Sequence, residues 1–190
     1  MDASNQLIGI HGLAGSGKTE VSNHLCLELG YFNVKFAGPL KSMIGTLLVK
    51  SGVCQKYEVN QYLEGDLKEI PIPQFDGKSP RDLMQTLGTE WGRGCVSQTL
   101  WVDAWKGLVS RVPSNVVTDD VRFENEAAMI RDRGGRIIHL YRADLARNAP
   151  QHVSETQLEV LPGDFTVWNS EGIFELHQKI NQIAHSLRQE

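Results

Sequence analysis

The sequence predicts an α/β fold with a parallel sheet, because short apolar runs alternate along it with segments of helical periodicity. The first apolar run, residues 7–11, stops at Gly12 and predicts a buried strand. In residues 18–29, apolar side chains recur every four residues, which is typical of one face of a helix. A chain of 190 residues is long enough for one domain with a sizeable core.

The remaining elements follow from the same two patterns. Further strands are predicted at residues 32–37, 116–118, 137–141 and 165–168. Further helices are predicted at residues 39–52, from 79 to about 88–94, and at 100–112, 123–133 and 173–187. Ser79 and Pro80 are expected to cap the helix that begins there. Periodicity is lost in residues 53–78, which we expect to be an insertion or a mobile subdomain, and residues 142–164 form a polar stretch rich in loop residues.

Composition narrows the class of protein. The net charge is -4, and 22% of the residues are charged, which argues against a basic face for nucleic-acid polymers or membrane surfaces. No apolar run is long enough to cross a bilayer, and residues 1–6 lack the pattern of a signal peptide. The three cysteines form no metal-binding pattern, so we expect them to be reduced and mostly buried, in a cytoplasmic protein.

A phosphate-binding motif, GxxxxGK[ST], occupies residues 12–19 without a mismatch. An apolar strand precedes it and an amphipathic helix follows it, as the motif requires. Such a P-loop binds phosphate oxygens through backbone N–H groups at a helix N-terminus. Lys18 is expected to reach the β- and γ-phosphates of ATP, and the Thr19 hydroxyl to ligate Mg²⁺. The residues expected to contact ATP are Gly12, Ala14, Gly15, Ser16, Gly17, Lys18 and Thr19.

Two aspartates follow the predicted strand at 116–118. Binding sites in open α/β sheets gather at the carboxyl ends of strands, so Asp119 and Asp120 can reach one. A carboxylate there can hold Mg²⁺, and we assign this metal-binding and catalytic role to Asp120. It can equally orient an acceptor, and the alternative is that the pair caps the next helix.

Five single arginines stand at the edges of predicted loops or helices: Arg81, Arg93, Arg122, Arg142 and Arg147. Guanidinium groups bind phosphate with two parallel hydrogen bonds, and phosphoryl transfer needs cations around both donor and acceptor. The alternative for any one of them is a solvated surface charge. Of the tryptophans, Trp91 is the one expected at a site, since glycines and Arg93 surround it. His11 and His139 are expected to serve packing rather than catalysis.

Four further segments resemble the phage-type deoxynucleoside monophosphate kinases, a group within the P-loop nucleoside monophosphate kinases. They are Phe-Ala-Gly-Pro-Leu-Lys at 36–41, residues 79–93, Asp-Asp-Val-Arg-Phe-Glu-Asn-Glu at 119–126, and His-Val-Ser-Glu at 152–155. The resemblance implies ATP-dependent conversion of a deoxynucleoside 5′-monophosphate to its diphosphate. It also implies a three-layer sandwich with about five parallel strands, a monophosphate-binding region at 36–93 and a lid at 142–164.

The resemblance assigns residue roles as well. It places on the acceptor side Lys41, Arg81, Gln85, Trp91, Arg93 and Arg122. It places Arg142 and Arg147 on the lid, as catalytic cations beside Lys18 and Arg122, and Asn169 near the base of ATP. A phage-encoded protein of this kind would work in the host cytoplasm.

Two other functions stay open from the residues. Kinases of other small phosphate esters, such as phosphomevalonate or dephospho-coenzyme A, share the general plan. A nucleotide-dependent binding module, from a different class of protein, would carry the same phosphate motif. In the leading interpretation the partners are ATP, Mg²⁺ and a small nucleotide, with no nucleic-acid polymer, no membrane and a possible homodimer.

Overall fold

The computed structural model describes residues 5–145 and 158–189. The chain divides into two compact units, each with its own hydrophobic core. The first combines Met1–Phe36 with Lys106–Glu190, and the second is Ala37–Trp105. Arg147 and the predicted segment at 152–155 lie outside the described residues.

The first unit contains the predicted parallel sheet. Its strands are β1 Leu7–His11, β2 Phe32–Asn33, β3 Val116–Thr118, β4 Arg136–Tyr141 and β5 Phe165–Trp168. They lie in the order β2-β3-β1-β4-β5, and every neighbouring pair is parallel. In the register, Ile8 lies opposite Val117 on one side of β1, and His11 lies opposite His139 on the other. The five-stranded parallel sheet implied by the resemblance is therefore confirmed.

The α-helices of the described residues are α1 Lys18–Leu29, α2 Gly38–Lys50, α3 Val59–Leu63, α4 Pro80–Gln85, α5 Leu100–Val109, α6 Glu124–Asp132 and α7 Ile173–Ser186. Residues Thr86–Val96 form a π-helix that continues α4. Within residues 5–145 and 158–189, short 3-10 helices lie at Asp66–Glu69, Pro73–Phe75 and Ala143–Leu145.

Helices cover both faces of the sheet and make the three layers expected. On one face, buried side chains of β1, β3, β4 and β5 pack with those of α1 and α7. On the other face, α6 packs so closely that a Cβ on Gly9 would meet the side chains of Ile130 and Ile137 at 2.7 and 2.6 Å. Glycine in the middle of β1 is therefore the residue that lets α6 approach the sheet.

The second unit has an all-helical core of its own, formed by Leu40, Ile44, Leu48, Cys54, Leu63, Ile72, Met84 and Trp101. The helix start predicted at Ser79 is confirmed. The Ser79 hydroxyl accepts from the N–H of Asp82, and the Asp82 carboxylate accepts from the N–H of Ser79 in return. These bonds satisfy donors that the first turn of a helix leaves unpaired.

Two predicted elements differ in the structure. The strand predicted at 32–37 is only Phe32–Asn33, since α2 already begins at Gly38 and the hydroxyl of Thr118 donates to the carbonyl of Val34. The helix after Ser79 continues as a π-helix, and Trp101 packs on it. Its indole N–H donates to the carbonyl of Gly88 at 2.8 Å, and a Cβ on Gly92 would clash with the Trp101 ring at 2.7 Å.

Cysteine burial also departs from expectation at one position. Cys54 is buried and Cys26 is half-buried, but Cys95 is exposed near the end of the π-helix; all three are free thiols. Among the described residues, no helix has both the length and the apolar character needed to cross a bilayer.

Candidate functional site

The phosphate loop joins β1 to α1 in the first unit, and its glycines are required by geometry. Gly15 and Gly17 have φ of 79° and 107°, in the left-handed region that other residues avoid. A Cβ on Gly12 would lie 2.4 Å from the carbonyl oxygen of Leu140 in β4. The loop can therefore curl against the end of the sheet, with N–H groups facing the space above α1.

The Lys18 ammonium lies over this loop. Its Nζ donates to the carbonyls of Gly12 at 2.6 Å and Leu13 at 2.8 Å. Thr19 is exposed in the first turn of α1, and the Ser16 hydroxyl is buried and has no hydrogen-bond partner among the described residues. A loop with one cation and one exposed hydroxyl at the N-terminus of a helix is chemically suited to a polyphosphate.

The two aspartates after β3 have different surroundings. Asp119 is 4% exposed, and its Oδ2 lies 3.4 Å from Nζ of Lys35. Its Oδ1 is buried and has no hydrogen-bond partner within the described part of the chain. Asp120 is half-buried, and its Oδ1 accepts the N–H of Phe36 at 2.9 Å. A buried, unsatisfied carboxylate oxygen is costly, which makes Asp119 the stronger candidate for a bound cation.

A carboxylate also lies at the start of α6. The carboxylate of Glu126, 3% exposed, accepts the N–H groups of Arg122 and Phe123 at 2.8 and 3.1 Å. Glu126 therefore satisfies two backbone donors immediately before α6. The Arg122 side chain is exposed.

A cavity of about 410 Å³ lies beside the phosphate loop. Its lining residues come from the loop, α1, the segments after β4 and β5, and α7: Gly17, Glu20, Arg142, Asn169, Ser170, Glu171, Gly172, Ile173 and Leu176. Nη1 of Arg142 lies 3.5 Å from the carbonyl of Gly15. Asn169 donates through Nδ2 to the carbonyl of Ser16 at 2.9 Å and through its N–H to Tyr141 at 2.8 Å. Arg142 and Asn169, both predicted from the sequence, thus contact the backbone of the phosphate loop, and Asn169 also contacts the end of β4.

A buried ionic network, which the sequence did not indicate, lies at the end of the predicted lid segment. The Asp164 carboxylate, whose side chain is 1% exposed, accepts from Arg131 at 2.6 Å, from the N–H of Leu161 at 3.0 Å and from His139 at 3.2 Å. Burial alone would raise the pKa of Asp164, but these hydrogen bonds outweigh it and lower the pKa below its ordinary value. The network anchors residues 161–164 to β4 and α6.

The acceptor-side residues predicted in the second unit make contacts within that unit. Lys41 pairs with Glu64 at 2.5 Å, and Arg81 pairs with Glu69. Arg93 is 8% exposed, and its Nη1 donates to the carbonyl of Gln98 at 3.1 Å.

Gln85 lies one turn after Arg81 at the end of α4 and is half-buried. Trp91 is 43% exposed on the π-helix. π-Helices are rare, and most are single-turn bulges inside α-helices. The segment Thr86–Val96 contains three glycines, at 88, 92 and 94.

A groove of about 530 Å³ lies between α2 and α3 in the second unit. It is lined by Lys41, Ser42, Gly45, Thr46, Val49, Lys50, Lys56, Val59, Asn60, Leu63 and Glu64. Gly45 allows the two helices to approach, since a Cβ there would meet Val59 at 2.8 Å. Apolar side chains alternate with lysines and polar groups around this groove, so it can accept an anion with a flat, partly apolar body.

The structure therefore places the predicted donor-side residues together in the first unit: residues 12–19, Arg142 and Asn169. Asp120 and Arg122 follow β3 in the same unit. Of the predicted acceptor residues in the second unit, only Lys41 lines the groove. Lys50, Lys56 and Asn60 also line it, and the sequence did not single them out because residues 53–78 showed no helical periodicity and α3 was not predicted.

Comparison with known proteins identifies the family. The family model of deoxynucleotide monophosphate kinases matches residues 52–180. A candidate deoxynucleotide monophosphate kinase from Acanthamoeba polyphaga mimivirus is 30% identical, over 92% of this chain and 93% of its own length. A crystal structure of a candidate kinase from Chloroflexus aurantiacus shares the fold, with a TM-score of 0.50, 12% identity, and coverage of 98% of this chain and 99% of its own. The chain is thus a nucleotide kinase, and it belongs to the deoxynucleotide monophosphate kinase family.

Proposed function

We propose that the protein transfers the γ-phosphoryl group of ATP to a deoxynucleoside 5′-monophosphate, giving the diphosphate and ADP. The observation that carries the proposal is the phosphate loop with Lys18 above it and a buried carboxylate oxygen at the end of the neighbouring strand. Family membership supports a nucleotide donor and a nucleotide acceptor.

On the donor side, ATP would lie with its phosphates on residues 12–19 and its base in the cavity bounded by Arg142 and residues 169–173. The side chain of Asn169 is already bonded to the loop carbonyl of Ser16. Its role is therefore to brace the loop beneath the nucleotide as well as to border the base. Arg142, next to Gly15, can place its charge beside the phosphates.

The residues present fit a bound Mg²⁺ ion. The exposed Thr19 hydroxyl and a carboxylate after β3 are hard oxygen donors of the kind this ion prefers. From the sequence we expected Asp120 to hold the hydrated cation. The unsatisfied Oδ1 favours Asp119 for this role instead. When bound, Mg²⁺ neutralises charge on the β- and γ-phosphate oxygens.

The residues of this chain act on the transfer by position and charge. The acceptor phosphate is largely a dianion at neutral pH, since its second pKa is about 6, and it needs no general base. Lys18, already oriented by two carbonyls, stabilises the negative charge of the transferring group. Arg142 adds a second cation at the loop.

For the acceptor, the groove between α2 and α3 offers chemistry that suits a nucleoside monophosphate. Its volume falls in the ordinary range for small-molecule sites, roughly 300–1,000 Å³. Val49, Val59 and Leu63 can pack on a base or a deoxyribose, and the lysines can hold a 5′-phosphate. A sugar packed on apolar atoms leaves a ribose 2′-hydroxyl without a partner, which would favour deoxynucleotides by about 1–3 kcal/mol.

The test is a coupled assay of ADP release with ATP, Mg²⁺ and each deoxy- or ribonucleoside monophosphate in turn. We expect ADP release only with an added acceptor, and roughly ten- to hundredfold higher kcat/KM for deoxynucleotides. Equal use of ribonucleotides would remove sugar selection. Transfer to phosphomevalonate or dephospho-coenzyme A, with no nucleotide product, would overturn the proposed acceptor.

The groove is tested separately. Lys50→Ala and Lys56→Ala should each raise KM for the monophosphate by about three- to tenfold and leave kcat unchanged, because they remove ground-state contacts to the phosphate. Lys78→Ala is the matched control, since Lys78 is an exposed lysine of the same unit outside the groove. If KM is unchanged in both variants, the acceptor does not bind in this groove, and the face of α4 that carries Arg81 and Gln85 becomes the proposed acceptor site.

A further inference from the structure

His11 is the last residue of β1 and stands next to Gly12, where the phosphate loop begins. Its side chain is buried, with 9% of the residue exposed. The imidazole lies at the donor side of the molecule, yet neither the phosphate motif nor the donor cavity includes it.

Both ring nitrogens of His11 meet backbone groups. Nδ1 lies 3.0 Å from the carbonyl oxygen of Val121, and Nε2 lies 3.4 Å from the backbone nitrogen of Leu158. Val121 stands between Asp120 and Arg122, directly after the aspartate pair. The ring therefore links the start of the phosphate loop to the segment that carries the candidate metal and acceptor residues.

These two backbone partners determine which nitrogen of the His11 ring carries the proton. A carbonyl oxygen accepts only, so Nδ1 must carry the proton and donate to Val121. A backbone N–H donates only, so Nε2 must be unprotonated and accept from Leu158. The other neutral tautomer satisfies neither contact, and the imidazolium would set a second N–H against that of Leu158.

We propose that His11, as its neutral Nδ1–H tautomer, is a positioning residue for phosphoryl transfer: it fixes the backbone between Asp120 and Arg122 relative to the phosphate loop. The effect on the reaction rate rests on the proposed function. The assignment of the tautomer does not depend on it. Protonation of Nε2 removes the contact with Leu158, so on the acid side the bond to Val121 alone orients the ring and the positioning is weakened.

The surroundings of the ring favour the neutral form. Burial is the largest cause that lowers the pKa of His11 below the ordinary imidazole value of 6.5. The neighbouring ring of His139 in β4, with centroids 5.6 Å apart, and the Lys18 ammonium after the phosphate loop lower the pKa further. The carbonyl of Val121 and Glu124 in α6 act the other way.

The experiment compares the whole chain with three variants. His11→Asn keeps a short amide that can donate to Val121 but cannot titrate, and His11→Phe removes both hydrogen bonds. His185→Asn is the matched control, because His185 is an exposed imidazole on α7. For each protein, kcat and KM are measured from pH 5 to 8. All proteins receive the same nucleotide pair, because the substrate phosphate itself titrates at about pH 6 and affects every protein equally.

We expect His11→Phe to lower kcat at pH 8 by roughly ten- to hundredfold, with KM for ATP changed less than about threefold. The ratio of wild-type kcat to that of His11→Asn should be constant above pH 6.5, the ordinary pKa of an imidazole, and fall as the pH drops below it. A ratio independent of pH, or wild-type kcat in a folded His11→Phe, would overturn the proposal. If His11→Phe does not fold, the ratio with His11→Asn decides alone.

A second measurement does not require activity. Nitrogen-15 NMR of the labelled imidazoles should show His11 protonated at Nδ1 and unprotonated at Nε2 at pH 7.5, and His11→Asn identifies the resonance. A proton at Nε2 instead would refute the tautomer. If the wild-type protein transferred no phosphoryl group to any nucleotide, the proposed function and the kinetic role would fall, whereas the tautomer assignment would stand or fall on NMR.

Discussion

The two aspartates after β3 allow one sharp prediction, because replacing either carboxylate by an amide changes charge and hardly changes shape. Asp119→Asn should lower kcat/KM by about 100-fold, close to 3 kcal/mol, if the residue holds the hydrated cation. Asp120→Asn should cost less than about threefold, because an asparagine oxygen can still accept the N–H of Phe36.

The stability of Asp119→Asn separates catalysis from folding. At 3.4 Å, the attraction between Asp119 and Lys35 is about 5 kcal/mol at an effective dielectric constant of 20 and about 1 kcal/mol in water. The Lys35 side chain is 30% exposed, so solvent screening brings the value toward the lower figure. The amide of the Asp119→Asn variant would still bury one unsatisfied polar atom but no charge, so part of the cost of the unsatisfied Oδ1, about 1–3 kcal/mol, is removed. We therefore expect the free energy of unfolding to change by less than about 2 kcal/mol.

The assay is coupled ADP release across a Mg²⁺ titration, with urea unfolding of the same preparations. Asp119→Asn should need a higher Mg²⁺ concentration for half-maximal rate. Lys35→Met is the control that removes the ion pair and keeps the carboxylate, and it should retain the wild-type Mg²⁺ dependence. The reasoning is refuted if Asp119→Asn keeps its rate and Asp120→Asn loses it, since the metal would then lie at Asp120.

Three further outcomes are expected. Lys18→Ala should lower kcat by roughly 10²–10³-fold with an unchanged unfolding midpoint, and near-normal turnover of the folded variant would contradict the phosphate-loop assignment. Arg142→Ala should lower kcat more than it weakens monophosphate binding, and an effect on acceptor KM alone would move Arg142 to the acceptor side. Arg131→Ala should lower the free energy of unfolding by about 3 kcal/mol, because it leaves the buried Asp164 carboxylate without its main partner. Because the pKa of Asp164 is lowered from 3.8, its ionised carboxylate stabilises the wild-type fold above that pH, and this stabilisation is lost as the pH falls below it. In urea unfolding from pH 2 to 6, the free energy of unfolding of Arg131→Ala should therefore depend less on pH than that of the wild type.

Residues close together in sequence were enough to predict much of the donor side. The eight residues of the phosphate motif and their flanking strand and helix form one continuous segment, and its geometry is set by local backbone rules. The same holds for the cap at Ser79 and for the strand Phe165–Trp168, which begins and ends where the apolar pattern predicts.

Contacts distant in sequence were not predictable in this way. The sequence could not distinguish Asp119 from Asp120, since the difference depends on Lys35 and the N–H of Phe36, more than 80 residues away along the chain. Nor could it show that Glu126 accepts two backbone N–H groups immediately before α6. The family resemblance supplied roles for Lys41, Arg81 and Arg93, but their ion pairs and hydrogen bonds appeared only in the folded chain.

The sequence by itself determined the phosphate loop, the alternation of strands and helices, and the family, because each depends on residue types at fixed local spacing. Only the tertiary structure decided the strand order, the groove between α2 and α3, and the protonation state that His11 needs. Strand order depends on which apolar faces pack together, and the groove on the lack of a side chain at Gly45. The His11 tautomer depends on a carbonyl and an N–H that folding brings to the two sides of one ring, 110 and 147 residues away in the chain.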